Sequence, residues 1–296
     1  MANNQSPNFL FCFGLGYSAS RLGRRVRAEG WRVSGTCRGA DQKAALNADG
    51  YEIALFDRDR PLDDAAAALA GVTHLLSSAP PDEAGDAVLD CHRQQIAAAK
   101  TLRWVGYLST TGVYGDHGGG WVDEETPLTP AGPRGHRRAE AEAGWLDLWR
   151  RSGIPVHIFR LAGIYGPGRG PLAKVRAGTA RRIVKPGQVF SRIHVEDIAT
   201  VLEASIERPH PGAIYNVCDD EAAPPEDVIA HAAELLGVPV PAAEPFDEAE
   251  MTPMARSFYA ESKRVSNARI KSELGVELAY PTYREGLAAL LAEEMR

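Results

Sequence analysis

A short glycine-rich segment near the start of the chain carries residue types that bind nucleotide phosphates. The segment FGLGYSA, from Phe13 to Ala19, follows an apolar run and precedes residues with helical spacing. Gly14 permits a tight turn, Gly16 lets a pyrophosphate approach the backbone, and Ala19 allows a helix to pack closely on a strand. The pattern predicts a dinucleotide-binding loop that includes Tyr17. An ordinary strand-to-helix turn with incidental glycines is the alternative.

The residues after the second apolar run indicate which dinucleotide is bound. An acidic residue about 20 positions beyond the loop would accept hydrogen bonds from the ribose hydroxyls of NAD. The chain reads Gly35-Thr36-Cys37-Arg38 there and has no acid. The Thr36 hydroxyl and the Arg38 guanidinium suit the 2′-phosphate of NADP(H), and NAD(H) with a solvated Arg38 is the alternative. Asp57, after the third run, is either an acceptor for the adenine amino group or a turn residue.

The first half of the chain alternates short apolar runs with longer helical patterns, which indicates βαβ units. We predict strands at 9–13, 31–36, 52–56, 74–78, 104–109 and 156–160, and helices at about 20–29, 62–70, 82–99 and 134–151. The fold class is therefore α/β, a Rossmann-type doubly wound parallel sheet. We expect Ser78, Ala79 and Ile164 to contact the cofactor as well.

The second half predicts further strands at 191–195 and 214–217 and helices at 197–207, 224–237, 261–274 and 283–294. We assign residues 1–162 and 191–219 to the dinucleotide-binding domain. Residues 163–190 and 220–296 are assigned to a smaller C-terminal lobe on the substrate side. The helix at 261–274 would carry Lys263, Arg264 and Asn267, which either meet a polar or anionic substrate or form a solvated basic face.

Composition narrows the classes of partner. The net charge is -6, with 33 basic residues scattered among 39 acidic ones, so nothing favours a nucleic-acid partner. The four cysteines lie far apart, without a Cys-x-x-Cys pair or a nearby histidine, and we expect neither a metal site nor a disulfide framework. No apolar run approaches the roughly 20 residues of a membrane helix, and no signal peptide is evident. We therefore expect a soluble, cytoplasmic protein without a membrane partner.

Four further segments carry a resemblance to a known family. They are YLSTTGVYG (107–115), FRLAGIYGPGR (159–169), SRIHVEDIA (191–199) and YNVCDDE (215–221). With the glycine loop, they make the chain similar to the extended short-chain dehydrogenase/reductases, the NAD-dependent epimerase/dehydratase family. The resemblance implies an oxidoreductase or an epimerase/dehydratase-like enzyme that acts on a small molecule. Homodimers of this family use helices that correspond here to 89–102 and 139–148, and the sequence leaves the oligomeric state open.

The resemblance also implies roles for polar residues after the fifth strand. In the family, a Ser or Thr four residues before a Tyr-Gly pair holds a substrate oxygen beside the nicotinamide. Counting back from Tyr114 gives Thr110, with Ser109 and Thr111 as neighbouring alternatives. Hydroxyls at a strand end also commonly satisfy local backbone groups, which is the competing interpretation. Tyr114 itself is a candidate proton donor, as are Tyr165 and His194.

The helix that follows departs from the family pattern. Family members carry a Tyr and, four residues later, a Lys, which together act as general acid/base and hold the nicotinamide ribose. The segment PRGHRRAEAEAGW (133–145) contains neither residue. If Glu142 sets the register, Arg134 takes the Tyr position and Arg138 the Lys position. Arg138 can donate hydrogen bonds to the ribose, whereas Arg134 cannot act as an acid because an arginine guanidinium keeps its proton in proteins.

This departure resembles an atypical branch of the family that keeps the fold and the glycine loop but lacks the Tyr/Lys dyad. Two hypotheses remain open. The first is an enzyme that uses Thr110 and an unconventional acid on a polar or anionic substrate. The second is a catalytically inactive NADP(H)-binding sensor or regulatory module.

Overall fold

The computed structural model describes residues 7–295. Its strands, numbered along the chain, are β1 (Phe9–Phe13), β2 (Arg32–Cys37), β3 (Glu52–Leu55), β4 (His74–Ser77), β5 (Trp104–Thr110), β6 (Trp121–Val122), β7 (Val156–Leu161), β8 (Gly163–Tyr165), β9 (Arg182–Val184), β10 (Arg192–His194), β11 (Ile214–Val217), β12 (Ala243–Pro245) and β13 (Arg264–Val265). The helices are α1 (Ala19–Ala28), α2 (Ala40–Ala48), α3 (Ala65–Ala68), α4 (Ala87–Ala98), α5 (Pro133–Ser152), α6 (Pro171–Arg176), α7 (Val195–Glu207), α8 (Pro225–Leu235), α9 (Pro253–Phe258), α10 (Ala268–Leu274) and α11 (Tyr283–Glu294). A short 3-10 helix spans Thr111–Tyr114.

Seven strands form one parallel sheet in the order β11-β7-β5-β4-β1-β2-β3. This order confirms the predicted Rossmann-type class, because the chain runs outward in both directions from β1. All five residues of β1 and all six of β7 are buried, as expected for inner strands of a parallel sheet covered on both faces. Three smaller sheets pair β10 with β8, β12 with β9, and β13 with β6.

The local sequence explains why the elements around the glycine loop form. In α1, Ala19, Leu22 and Val26 are buried at helical spacing, so this face of the helix packs inward. Helix α2 was not predicted, because none of its nine residues is buried and it therefore lacks an apolar stripe. Helix α3 is shorter than predicted and begins where the Asp64 side chain accepts a hydrogen bond from Ala67 N.

The predicted helix at 261–274 is wrong over its first half. Ser262 N donates a hydrogen bond to Asp116 Oδ1 at 2.8 Å, and the buried Lys263 donates through Nζ to Gly115 O at 2.7 Å. The next two residues form β13, which pairs with β6. These tertiary contacts override local helical propensity. Neither a substrate-facing nor a solvated helix therefore carries Lys263 and Arg264.

The chain divides into two compact units, and each has its own apolar core. Unit 1 comprises residues 7–109, Arg137–Phe159 and Leu202–Ile214, and unit 2 comprises Thr110–His136, Arg160–Val201 and residues 215–295. The core of unit 1 includes Phe11, Phe13, Trp145 and Ile158, which lie on β1, α5 and β7. The core of unit 2 includes Leu172, Val228 and Leu287, from α6, α8 and α11. The earlier assignment of two lobes stays a prediction.

Across residues 7–295, the structure contains no helix with the length and apolar character needed to span a bilayer.

Candidate functional site

The glycine loop of unit 1 forms a tight turn at Gly14. Gly14 adopts a φ of 85°, a left-handed conformation that side chains disfavour. A Cβ atom at Gly14 would lie 3.2 Å from the backbone nitrogen of Ala79, so the loop also packs closely against the segment after β4. Gly14 N donates a hydrogen bond to Thr36 Oγ1 at 2.9 Å. Glycine is therefore required at this position for both conformation and space.

Gly16 differs from Gly14 because it faces open space. A Cβ atom built on Gly16 would meet no heavy atom of the structure within 4 Å. Its carbonyl oxygen accepts a hydrogen bond from Ser20 N at 2.9 Å, and α1 begins three residues later at the fully buried Ala19. A phosphate group can thus approach the Gly16 backbone and the N-terminus of α1, where the helix dipole favours an anion. The loop fits a dinucleotide pyrophosphate.

The two polar residues at the end of β2 have different surroundings. Thr36 is only 1% exposed, and its hydroxyl oxygen accepts the hydrogen bond from Gly14 N. The predicted contact between Thr36 and a 2′-phosphate thus has little support, because the side chain is buried beneath the loop that it holds in place. Arg38 is exposed, and its guanidinium has no hydrogen-bond partner among residues 7–295. It remains available to an anion.

The other predicted cofactor contacts in unit 1 follow β3 and β4. Asp57 forms an exposed ion pair with Arg60 at 2.7 Å. Ser78 N donates to Phe13 O at 2.9 Å, which holds the segment after β4 beside β1. Both Ser78 and Ala79 are half-buried, and Ala79 lies against Gly14. The structure therefore brings Ala79 and the glycine loop together.

Arg138, on α5, is joined to β5 within unit 1. Its Nη1 donates to Leu108 O at 2.5 Å and to the Tyr107 hydroxyl at 3.3 Å. Neither Nε nor Nη2 of Arg138 has a hydrogen-bond partner in the described part of the chain. The guanidinium is half-buried. Arg138 thus combines an anchored position with unused donors, as a ribose-binding residue requires.

A buried polar network behind β5 was missed by sequence reasoning. The Ser109 hydroxyl donates to Glu142 Oε1, and Trp145 Nε1 donates to Asp86 Oδ2 at 3.0 Å. Tyr107 stacks on Trp145 with ring centroids 5.8 Å apart, and burial raises the pKa of its phenol. These residues fix the face of α5 that carries Arg138. Their sequence separation, 59 residues for Asp86 and Trp145, left no local signal.

Unit 2 contains the strand-end hydroxyls that the family resemblance emphasised. Thr110 Oγ1 accepts a hydrogen bond from Gly112 N at 3.1 Å and so caps the 3-10 helix. The acceptor role leaves the hydroxyl proton of Thr110 free to be donated. The side chain is half-buried.

Tyr114 is fully buried, unlike Thr110. Its hydroxyl donates to Asn216 Oδ1 and accepts from Arg160 Nη1, both at 2.8 Å. Burial also raises the pKa of Tyr114. These contacts do not favour its predicted role as a proton donor to substrate.

The remaining predicted residues of unit 2 range from exposed to deeply buried. Arg134 is exposed in the first turn of α5, and its guanidinium carbon lies 5.5 Å from the ring centroid of Phe258. Ile164 is in β8, which pairs with β10. Tyr165 and His194 are both 2% exposed and pack edge to face at 5.1 Å, and burial raises the pKa of Tyr165. Of these side chains, Arg134 is the one placed to meet a soluble ligand.

The fold and the glycine loop agree with a family match. The chain belongs to the NAD dependent epimerase/dehydratase family, whose sequence pattern matches residues 14–218. The match begins at the first glycine of the loop and ends just after β11. It confirms the family that the sequence motifs predicted, and with it the enzyme class that the sequence favoured.

Comparisons with individual proteins agree with this membership. Protein YeeZ of Escherichia coli strain K12 is 30% identical over 279 residues, which cover 90% of this chain and 94% of that protein. A solved structure described as a functionally unknown conserved protein from Silicibacter pomeroyi has a TM-score of 0.90 and 59% identity, covering 97% of this chain and 99% of that one. The dTDP-glucose 4,6-dehydratase of Bacillus anthracis, solved in complex with NAD, has a TM-score of 0.74 and 17% identity, with 97% and 96% covered. This last likeness shows a shared fold.

Proposed function

We propose that the protein is an NADP(H)-dependent enzyme of its family that acts on a polar or anionic small molecule. The observation that carries the cofactor preference is the exposed, unpartnered guanidinium of Arg38 at the end of β2, where an NAD-binding protein would carry an acid. A guanidinium matches a phosphate through paired, charge-assisted hydrogen bonds. Within residues 7–295, no acidic side chain forms an ion pair with Arg38.

The rest of the cofactor would be held by groups already in place. The Gly16 backbone and the start of α1 receive the pyrophosphate, and Asp57 can accept from the adenine amino group. Arg138 donates from Nε and Nη2 to the hydroxyls of the nicotinamide ribose, while its Nη1 keeps the contact with Leu108. When bound, the nicotinamide supplies or accepts hydride. Ser78, Ala79 and Tyr17 complete the proposed set of contacts in unit 1.

On the substrate side, we assign hydrogen bonding to Thr110 and charge recognition to Arg134. Gly112 N already occupies an acceptor site of Thr110 Oγ1, so the hydroxyl proton is the part that a substrate oxygen would use. Arg134 offers a fixed positive charge beside the exposed face of Phe258, which suits a carboxylate or a phosphate. Tyr114 supports the strand end through Asn216 and Arg160 in this proposal.

Calorimetric titration with NADPH and NADH tests the cofactor assignment. NADPH should bind at least about tenfold more tightly, a difference of about 1.4 kcal/mol. Arg38→Ala should erase the preference by weakening NADPH alone. Arg150→Ala, which removes an exposed arginine in the last turn of α5, is the matched control and should change neither affinity. Equal affinities in the unsubstituted protein contradict the proposal.

A second function, a catalytically inactive NADP(H) sensor, is favoured by the composition of α5. This helix contains neither Tyr nor Lys, the two residues that the family resemblance implies there. The two functions can be separated by following NADPH consumption with a panel of anionic carbonyl compounds. An oxidoreductase of this family should consume NADPH with at least one compound, because the hydride is transferred to the carbonyl and not returned, and Thr110→Val should abolish turnover while NADPH still binds. A sensor should give no turnover but should become more resistant to proteolysis when NADPH is added.

A further inference from the structure

The turn after β3 folds back toward the end of β2. Asp57 and Arg60 exchange two backbone hydrogen bonds, each of 3.2 Å, so this turn is tightly closed. Arg60 Nη2 donates to Asp57 Oδ2 at 2.7 Å and to the carbonyl oxygen of Arg38 at 2.9 Å. Strands β2 and β3 are neighbours at the edge of the sheet. Arg60 is therefore held against Arg38, the residue that follows β2.

Most donors of Arg60 remain unused. Both contacts involve Nη2, and neither Nε nor Nη1 has a hydrogen-bond partner among residues 7–295. The side chain is 46% exposed, so these donors are accessible to a ligand. A guanidinium presents its N–H groups in a planar fork, and the free edge of this fork can bind phosphate oxygens.

The positive charge of Arg60 acts electrostatically on Cys37, the last residue of β2. Burial raises the pKa of the Cys37 thiol, and the charges of Lys43 and Arg60 both oppose this rise. Two cations, Lys43 and Arg60, therefore lie close enough to Cys37 to act on its ionisation. The ion pair with Asp57 is exposed, and exposed pairs of this kind contribute little to stability. Its clearest consequence is to orient the guanidinium of Arg60.

We propose that Arg60 is a second binding residue for the 2′-phosphate of NADP(H), so that the guanidinium groups of Arg38 and Arg60 both donate hydrogen bonds to this phosphate. Asp57 positions Arg60 through Nη2 and leaves the opposite edge of the guanidinium for the phosphate. This inference rests on the proposed preference for NADP(H). It adds a specificity-determining residue from the turn after β3, where the sequence alone indicated either an adenine contact through Asp57 or a turn residue.

Calorimetric titration of Arg60→Ala with NADPH and NADH tests the inference. NADPH should bind about tenfold more weakly, because a charge-assisted hydrogen bond to the 2′-phosphate is lost, while NADH affinity should change less than about twofold. Arg60→Lys keeps the charge without the planar fork and should recover part of the NADPH affinity. Arg150→Ala removes the same charge elsewhere in unit 1 and should leave both affinities unchanged. Melting temperatures measured in parallel report whether the turn still folds.

The outcomes separate this inference from the cofactor proposal. Arg60 donates to the backbone carbonyl of Arg38, and Arg38→Ala keeps this carbonyl. The Arg38→Ala variant therefore removes the Arg38 guanidinium without removing the hydrogen bond that holds Arg60. If the unsubstituted protein prefers NADPH and Arg38→Ala erases this preference, but Arg60→Ala has no effect or weakens both dinucleotides equally, Arg60 only tethers the turn and the inference fails alone. If the unsubstituted protein shows no preference, both proposals fail.

Discussion

Replacing Gly16 with valine should abolish dinucleotide binding without destabilising the protein. A Cβ atom at Gly16 meets no heavy atom within 4 Å, and Gly16 does not adopt the positive φ that penalises a side chain. The Cβ atom of the added side chain therefore occupies open space. The same space is where the pyrophosphate must approach the backbone.

The magnitudes follow from this geometry. The free energy of unfolding should change by no more than about 0.5 kcal/mol, as is usual for surface substitutions. The dissociation constant for NADPH should rise at least about 100-fold, which corresponds to about 2.7 kcal/mol. Gly14→Ala is a matched contrast, because the φ of 85° and the 3.2 Å approach to Ala79 N should make it destabilising by about 1–2 kcal/mol or more.

Thermal melting and calorimetric titration with NADPH measure both effects on the same preparations. Gly16→Val should melt at the temperature of the unsubstituted protein and give no binding heat, whereas Gly14→Ala should melt earlier. A Gly16→Val variant that melts normally and still binds NADPH would show that the segment from Gly14 to Ala19 is not the phosphate-binding loop.

Three further predictions concern residues outside the loop. Arg138→Ala should weaken NADPH binding by about 1.5–3 kcal/mol in a titration, Arg138→Lys should lose much less, and an unchanged affinity would remove Arg138 from the cofactor site. Arg134→Ala should leave NADPH affinity nearly unchanged while abolishing the binding of an anionic ligand found by screening, and an equal loss of NADPH affinity would show that the register on α5 is wrong. Burial raises the pKa of Asp219 to about 8, so its folded form holds a proton that unfolding releases, and stability falls as the pH rises from about 4 to about 8. Between about pH 5 and about pH 8, the melting temperature of Asp219→Asn should therefore fall less than that of the unsubstituted protein. An equal fall in the two proteins would contradict this coupling.

The sheet could be predicted because β1 is a continuous apolar run and the other strands are short segments with buried apolar residues between turn residues. Strands β1 and β11 and helix α11 begin and end at the residues predicted from the sequence. The sequence pattern did not predict the elements whose conformation depends on tertiary contacts or that bury no apolar residues. Helix α2 buries no residue, and the segment at Lys263 is extended because of bonds to residues almost 150 positions earlier.

The candidate site could be predicted as a set of positions more readily than as a set of contacts. The spacing of the glycine loop predicted Gly14 and Gly16, and the absence of an acidic residue after the second strand predicted Arg38. Gly14 forms a tight turn, Gly16 faces open space and Arg38 is exposed. The burial of Thr36 and Tyr114 was not predictable, because the sequence does not show which hydroxyls are used to support neighbouring backbone and side chains. Oligomeric state and cellular location stay predictions.

A crystal structure of the protein grown with NADPH tests the central claim most directly. We expect the pyrophosphate against the Gly16 backbone at the start of α1 and the 2′-phosphate in hydrogen-bond contact with the Arg38 guanidinium. A dinucleotide bound elsewhere, or one bound at the loop with its 2′-phosphate in solvent away from Arg38, would contradict the account.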